Sequence, residues 1–261
     1  MTKHELKDFL DRKADQYNTT AFIADDPISL PHRFDGKEDK EIIAFIVATI
    51  SWGNRKSILT NGDRLIQLIN GTPHTYVMEY KAGQLIDSGF VHRTFNAVDL
   101  DYFIQALQYI YKEHGGLEFA FAKAYKQHHD LQRAITDVRS LFLSLPSFTA
   151  RTKKHFSDPS RGSSAKRINM FLRWMLRRDD RGVDFGLWEG IPMSALSLPL
   201  DVHTGNIARQ LGLLTRKQND QKAVQELDAA LRMLDPVDPV RYDYALFGIG
   251  VNKDLELPTS A

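Results

Sequence analysis

Residues 198–213 read LPLDVHTGNIARQLGL, and this stretch carries more structural information than any other part of the chain. Its apolar approach ends at Asp201, a residue type preferred at a helix N-cap because its side chain accepts a hydrogen bond from an orphan N–H of the first turn. Apolar residues follow at a spacing that suits one helix face, namely Val202, Ile207, Leu211 and Leu213. A capping Asp is common and by itself indicates only helix stability.

A basic stretch upstream, RGSSAKR at residues 161–167, gives this Asp a possible partner in Lys166. Residues 151–181 contain ten Lys or Arg and three Asp, an excess of seven positive charges in a chain whose net charge is +1. Most such runs are solvated helix faces. Here the excess surrounds a Gly-Ser turn that opens a predicted helix, where free backbone N–H groups favour a phosphate. The segment is therefore a candidate nucleic-acid contact.

The composition excludes several classes of site. The chain has 261 residues, enough for one large domain or two lobes, with 43% hydrophobic and 26% charged residues. It has no cysteine, which excludes disulfides, thiolate nucleophiles, Cys-ligated zinc and iron–sulfur clusters. The histidines show no metal-ligand spacing, so we expect no metal and no other cofactor. Without a signal-peptide pattern or a run of about 18 apolar residues, we expect a cytoplasmic protein that does not contact membranes.

Apolar periodicity predicts an all-α protein of about ten helices, with two lobes formed by one chain. Most of the prolines fall between the predicted segments, where proline is tolerated. The predicted helices lie near residues 4–16, 38–50, 55–70, 98–113, 116–128, 130–144, 164–178, 202–212, 219–234 and 239–248.

Four segments, in this order, resemble the helix-hairpin-helix DNA glycosylase superfamily, which includes endonuclease III and the 8-oxoguanine glycosylases. The segments are an early helix with its polar turn at 41–55, the second helix of the hairpin at 163–172, the PLDVH motif at 199–203 and a closing helix at 242–248. Within the second segment, Lys166 and Asn169 match the superfamily's lysine-x-x-asparagine spacing. The whole chain also resembles an uncharacterised bacterial family.

The resemblance implies a two-lobed helix-hairpin-helix fold in which residues 1–261 form a single domain. The middle lobe would span about 36–180 and include the hairpin. The second lobe would combine residues 1–35 with about 200–261. In the superfamily the terminal segments pack together and the site lies between the lobes.

The resemblance also implies the chemistry of a DNA glycosylase with AP-lyase activity. Lys166 would attack the sugar carbon that holds the base, since a neutral lysine amine is a nucleophile, and the adjacent charge of Arg167 would lower its pKa. Asp201 would stabilise the oxocarbenium-like sugar and move protons. Without the resemblance, a surface lysine and a capping aspartate are the default interpretations of these two residues.

Further residues would contact duplex DNA. Trp52 and Asn54 occupy the turn where the superfamily places the residue that fills the gap left by a flipped base, and Arg55 follows them. The turn formed by Arg161, Gly162, Ser163 and Ser164, with Arg167 after it, would hold a phosphate through backbone amides. His203 would face a phosphate or play a structural role. A tryptophan such as Trp52 is more often a core residue than a wedge.

The sequence departs from the superfamily pattern in three respects. The Leu-Pro-Gly-x-Gly core of the hairpin is absent, and only Gly162 remains of its glycines. Lys166 and Asp201 are 35 positions apart, so residues 177–198 form an insertion that would line the base pocket or contact DNA. A longer connection also occurs in the archaeal 8-oxoguanine branch. No cysteines follow Gly248, so the iron–sulfur segment of endonuclease III is missing.

Three functions remain open at this stage. The leading hypothesis is a base-excision repair enzyme, a hydrolase and lyase acting on damaged DNA, with oxidised purines as one candidate class of lesion. The second is a nucleic-acid-binding protein of the same fold without catalytic activity, and the third is an enzyme acting on a nucleoside or a modified RNA base. The sequence does not specify the lesion or the oligomeric state.

Overall fold

The computed structural model describes residues 1–255 and is mostly helical. Within these residues, none of the helices combines the length and the apolar character needed to cross a membrane. The all-α prediction is confirmed. The helices are α1 (Lys3–Tyr17), α2 (Lys37–Ile50), α3 (Arg55–Leu68), α4 (Pro73–Glu79), α5 (Ala97–His114), α6 (Leu117–His128), α7 (Leu131–Phe142), α8 (Lys166–Leu176), α9 (Val202–Gln210), α10 (Gln221–Arg232) and α11 (Tyr242–Asn252).

Two elements were missed by the periodicity analysis. Helix α4 begins with Pro73 at its first turn, where the missing N–H of proline costs nothing. Its seven residues are too few to show a clear helical period. The second missed element is a short antiparallel hairpin, β1 (Val91–His92) and β2 (Phe95–Asn96). The predicted segment 239–248 begins as a single 3₁₀ turn and continues as α11 to Asn252.

Helix α2 forms the centre of the core. All residues from Glu41 to Ile50 are buried, and the helix packs against α8, α4 and α3. The ring of Phe45 lies in the middle of an aromatic cluster, with centroid distances of 5.4 to 6.0 Å to Phe103, Phe142, Phe156 and Phe171. Such edge-on and tilted arrangements are favoured by the ring quadrupole.

The two ends of the described chain pack together. Helix α1 contacts α11, and α11 also contacts α9. The close approach of α1 and α11 depends on Gly248, because a Cβ at this position would overlap the ring of Tyr17. This packing places the start of α9, with Asp201, beside α11 and near the start of α8. The predicted division into two lobes stays a prediction.

Replacing Phe45 by Ala should lower the free energy of unfolding by about 3–5 kcal/mol, because the variant loses a fully buried ring and leaves a cavity. Phe119→Ala is the matched control, since that ring is 59% exposed and should change stability by less than about 0.5 kcal/mol. Urea unfolding followed by circular dichroism measures both. Similar losses in the two variants would contradict the central role given to Phe45.

Candidate active site

A cavity of about 220 Å³ lies where five segments of the chain meet. It is smaller than the pockets that hold drug-sized ligands and suits a compact group such as a single ring system. Its walls combine aromatic rings with acidic and basic side chains. The lining residues on which the chemistry depends are Phe22, Asp26, Trp52, Arg55, Lys166, Arg173, Asp201, His203, Asp243, Tyr244 and Phe247.

The cavity brings together Lys166 and Asp201. The Lys166 Nζ atom lies 3.3 Å from Asp201 Oδ2, and the two side chains are 37% and 14% exposed. Both residues line the cavity, so the pair is accessible from it. Asp201 is the N-cap of α9 and is also paired with Lys166. An amine and a carboxylate in contact can exchange a proton and act on one bound group.

The local backbone structure places Lys166 at the cavity. Ala165 has a left-handed backbone with φ 47°, and helix α8 starts immediately after it. The turn is held by buried Asn169, whose Nδ2 donates to the carbonyl oxygen of Ser164 at 3.0 Å and whose Oδ1 accepts from Gln132 at 2.9 Å. Asn169 of the lysine-x-x-asparagine spacing therefore positions the first turn of α8.

Asp201 is positioned by its own helix and by two neighbours. Its Oδ1 accepts the N–H of Thr204 at 2.9 Å, so it is the N-cap of α9, and Oδ2 is left for Lys166. Asn219 Nδ2 donates to the Asp201 carbonyl oxygen at 2.9 Å. Upstream, the Leu198 N–H donates to Asp228 Oδ1 at 3.0 Å, which holds the chain leading into the cap. Burial raises the pKa of Asp228 to about 6.

The sequence analysis missed a second acid of the cavity, Asp243 on α11. It is 5% exposed and accepts a hydrogen bond from Arg173 Nη1. Burial raises its pKa to about 6, and the charge of Asp201 acts in the same direction, whereas Arg173 and Lys166 oppose it. The one available signal was an Asp inside YDYALFGIGVN, an otherwise apolar helix.

A third acid, Asp26, lies in the segment before α2. It is 8% exposed and caps a 3₁₀ turn, with Oδ1 accepting the N–H of Ile28 at 3.0 Å. Burial raises its pKa, while the Ile28 N–H and the charges of Arg173 and Arg55 lower it. Asp before proline is typical of turns, so the sequence offered no signal that Asp26 would reach a cavity.

Arg173 connects the cavity to the insertion at 177–198. Its Nε donates to Asp184 Oδ1 at 3.2 Å, and its guanidinium stacks over the Tyr244 ring at 4.6 Å. Tyr244 in turn donates to Asp184 Oδ2 at 2.8 Å. None of the insertion lines the cavity among the described residues, so the expectation that it forms a wall of the pocket is corrected. Instead, Asp184 of the insertion contacts Arg173 and Tyr244, which themselves line the cavity.

Three of the residues predicted to bind nucleic acid lie at the cavity: Trp52, Arg55 and His203. The ring of Trp52 is stacked against the guanidinium of Arg93 at 4.4 Å, in the turn of the β1–β2 hairpin. Gly53, with φ 103°, permits this contact, because a Cβ there would overlap Arg93. Asn54 does not line the cavity, and its Oδ1 caps α3 by accepting from Ser57 at 3.1 Å.

The predicted phosphate turn lies outside the cavity. Two of its amides have partners within the turn, since Gly162 N–H donates to the Pro159 carbonyl at 2.9 Å and Ser163 N–H to that of Asp158 at 3.3 Å. Arg161 and Gly162 are exposed, and Ser163 and Ser164 are half-buried.

Arg167 points away from Lys166 and donates to the Thr49 carbonyl at the end of α2. Burial lowers the pKa of Arg167 to about 10. The residue is half-buried and one guanidinium nitrogen is engaged inside the protein, and its contact with nucleic acid stays a prediction.

The basic excess of residues 151–181 is largely neutralised by acids from other parts of the fold. Six of its ten cations form ion pairs: Arg151, Lys166, Arg173, Arg177, Arg178 and Arg181. Arg173 and Arg177 are buried. The segment is therefore not a continuous basic face. In residues 1–255 no three His, Asp or Glu side chains are grouped to hold a metal ion.

A family model described as "Protein of unknown function (DUF2400)" matches residues 26–252, and the chain belongs to this family. The match includes Asp26, Lys166, Asp201 and Asp243. Searches of the curated proteins and of the solved structures found no match.

Replacing Asp228 by Asn should remove a pH-dependent loss of stability. Burial raises the pKa of Asp228 from 3.8 to about 6, so between these pH values the folded protein holds a proton that the unfolded chain has released. Asp228 therefore lowers the free energy of unfolding of the wild type as pH rises through this range. Relative to wild type, the variant should gain up to about 3 kcal/mol between about pH 4 and pH 7. Urea unfolding at both pH values measures this.

Asp130→Asn provides the control, because Asp130 is an exposed N-cap on α7. This variant measures the effect of removing a capping charge at an exposed site. Parallel pH profiles for wild type and Asp228→Asn would show that the pKa of Asp228 is the same in the folded and the unfolded chain, which would contradict the prediction.

Proposed function

We propose that this DUF2400 protein cleaves the N-glycosidic bond of a nucleobase in duplex DNA, with Lys166 as the nucleophile and Asp201 as the carboxylate that assists it. The observation that carries the proposal is the 3.3 Å contact between Lys166 Nζ and Asp201 Oδ2 at the cavity. The resemblance to helix-hairpin-helix DNA glycosylases points to the same two residues independently of this distance. The finer fold assignment, a two-lobed glycosylase-like fold, is part of the proposal.

The chemistry follows from the two groups. Asp201 accepts a proton from the Lys166 ammonium, and the neutral amine attacks the anomeric carbon of the nucleotide. The bond to the base breaks, and the base leaves with its electron pair and takes the proton that Asp201 received from Lys166. Opening of the sugar ring then gives a Schiff base between Lys166 and the sugar, from which a lyase step proceeds. The carboxylate also stabilises positive charge that develops on the sugar.

The walls of the cavity suit an extruded base. The rings of Phe22 and Phe247 lie 6.3 Å apart in an edge-on arrangement, and both line the cavity with Tyr244. Aromatic walls stabilise an unstacked base by stacking. Arg55 lies 5.9 Å above the Phe247 ring at the rim, where a cation can contact a phosphate of the flipped nucleotide.

Lys166→Ala should abolish covalent trapping of the protein on DNA. Wild type is incubated with sodium borohydride and a duplex containing an abasic site, which presents the sugar aldehyde without requiring recognition of a base. Reduction of the Schiff base should give a covalent adduct that is visible by denaturing electrophoresis. The variant should give none, because its side chain has no amine.

Lys154→Ala is the matched control, since Lys154 is an exposed lysine of the same basic segment and does not line the cavity. It should form the adduct as wild type does. A duplex panel with oxidised purines then tests the class of lesion. Absence of an adduct on the abasic duplex, or an equal yield from Lys166→Ala, would contradict the proposal.

Asp201→Asn should reduce the single-turnover cleavage rate by about 10²–10⁴-fold while leaving DNA affinity unchanged. Asn keeps the N-cap hydrogen bond to Thr204 but cannot take the proton from Lys166. Asp130→Asn removes the charge of another helix N-cap and should have no effect. Salt-dependent DNA binding without cleavage in wild type would instead identify a binding protein.

A further inference from the structure

Asp26 has a carboxylate oxygen that the fold does not use. The residue is 8% exposed and lines the cavity, and its Oδ1 accepts the Ile28 N–H. Across residues 1–255, the Oδ2 atom accepts no hydrogen bond, and Asp26 takes part in no ion pair. The other two acids of the cavity differ in this respect, because Asp201 is paired with Lys166 and Asp243 with Arg173.

A carboxylate oxygen without a partner in a nearly buried residue is unfavourable unless water or a ligand donates a hydrogen bond to it. The need to cap the 3₁₀ turn at Pro27 does not explain why the residue is an Asp, because Asn or Ser would cap the turn equally well without carrying a charge. The nearby charges of Arg173 and Arg55 favour the ionised form of Asp26, which burial opposes. The fold therefore keeps a hydrogen-bond acceptor at the wall of the cavity that lacks a partner within the described chain.

We propose that Asp26 determines ligand specificity by accepting a hydrogen bond from an N–H group of the heterocycle in the cavity. The pocket then selects bases that present an N–H donor and disfavours those that offer only acceptors. This inference rests on the proposed function, since it assumes that the occupant is a nucleobase. It assigns recognition to Asp26, which is separate from the Lys166–Asp201 pair.

The physical basis is the asymmetry of hydrogen bonding in a buried site. A ligand donor facing an ionised carboxylate gains a charge-assisted bond, whereas a ligand acceptor in the same place faces a repulsive lone pair. Sites of this kind discriminate strongly because the wrong ligand leaves a desolvated polar group without a partner. We expect a preference of about tenfold or more for ligands with the donor.

Four purine nucleosides test the proposal, because they differ by small groups on the same ring. Purine riboside has no N–H on its base, 2-aminopurine riboside and adenosine each add one amino group, and inosine adds a ring N–H. Their dissociation constants are measured on the full chain by calorimetry at mildly alkaline pH, which favours the ionised form of Asp26. At least one donor-bearing nucleoside should bind about tenfold or more tightly than purine riboside.

Asp26→Asn then reverses the polarity of the group. The amide oxygen keeps the cap to Ile28, and an NH₂ donor replaces the free oxygen, so the preference for donor-bearing nucleosides should disappear or invert. The variant should remain folded, because the cap is retained and a buried charge is removed. Thermal unfolding checks this, and Asp130→Asn controls for the loss of a capping charge elsewhere.

Two results would overturn the proposal. One is equal affinity of wild type for all four nucleosides, including no measurable binding at millimolar concentration. The other is an unchanged preference in folded Asp26→Asn, which would show that Asp26 only caps the 3₁₀ turn. These outcomes are independent of covalent trapping: failure of the Lys166 adduct with a retained nucleoside preference would refute the glycosylase chemistry and leave the recognition role intact.

Discussion

The buried guanidinium of Arg173 is the interaction on which the arrangement of the site depends. It contacts Asp243 on α11 and Asp184 in the insertion, and it stacks on Tyr244. A buried charge of this kind is tolerated only when its partners are held in place, because an unpaired charge costs several kcal/mol. The pairing therefore fixes α8 against α11 and against the segment that follows α8.

This constraint sets the direction of α8, the helix that carries Lys166. Lys166, Met170 and Arg173 stand at positions i, i+4 and i+7 and so share one face of α8, and all three line the cavity. Once Arg173 is anchored at the inner end, Lys166 lies at the outer end of the same face. Asp201 meets it there because α9 packs on α11. The contact between amine and carboxylate is thus a consequence of helix packing around a buried ion pair.

The three acids of the cavity differ in burial and in their charged partners. The cations are Lys166, Arg173 and Arg55, and the acids are Asp26, Asp201 and Asp243. Asp201 is partly exposed beside Lys166, a setting that suits a carboxylate engaged in proton transfer. Asp243 and Asp26 are nearly fully buried, and burial raises the pKa of each. The same side-chain type thus serves separate roles according to its depth and its partner.

The sequence predicted the features of the site that depend on local pattern. The N-cap role of Asp201 followed from its place before a helix, and Lys166 followed from the resemblance of residues 163–172 to a glycosylase helix. Asp26 and Asp243 could not be found in this way, because their role depends on contacts between segments more than 200 positions apart. The basic run at 151–181 was misleading for the same reason: its partners, such as Asp99 and Asp243, lie far away in the sequence.

The residues proposed for chemistry and the residue proposed for recognition come from different parts of this chain. The amine and the carboxylate belong to α8 and the start of α9, which are fixed by packing against α2 and α11. Asp26 and Phe22 belong to short 3₁₀ turns before α2, whose backbone is less constrained than that of a long helix. Substitutions in these turns can therefore change which ligand fits without moving the Lys166–Asp201 pair.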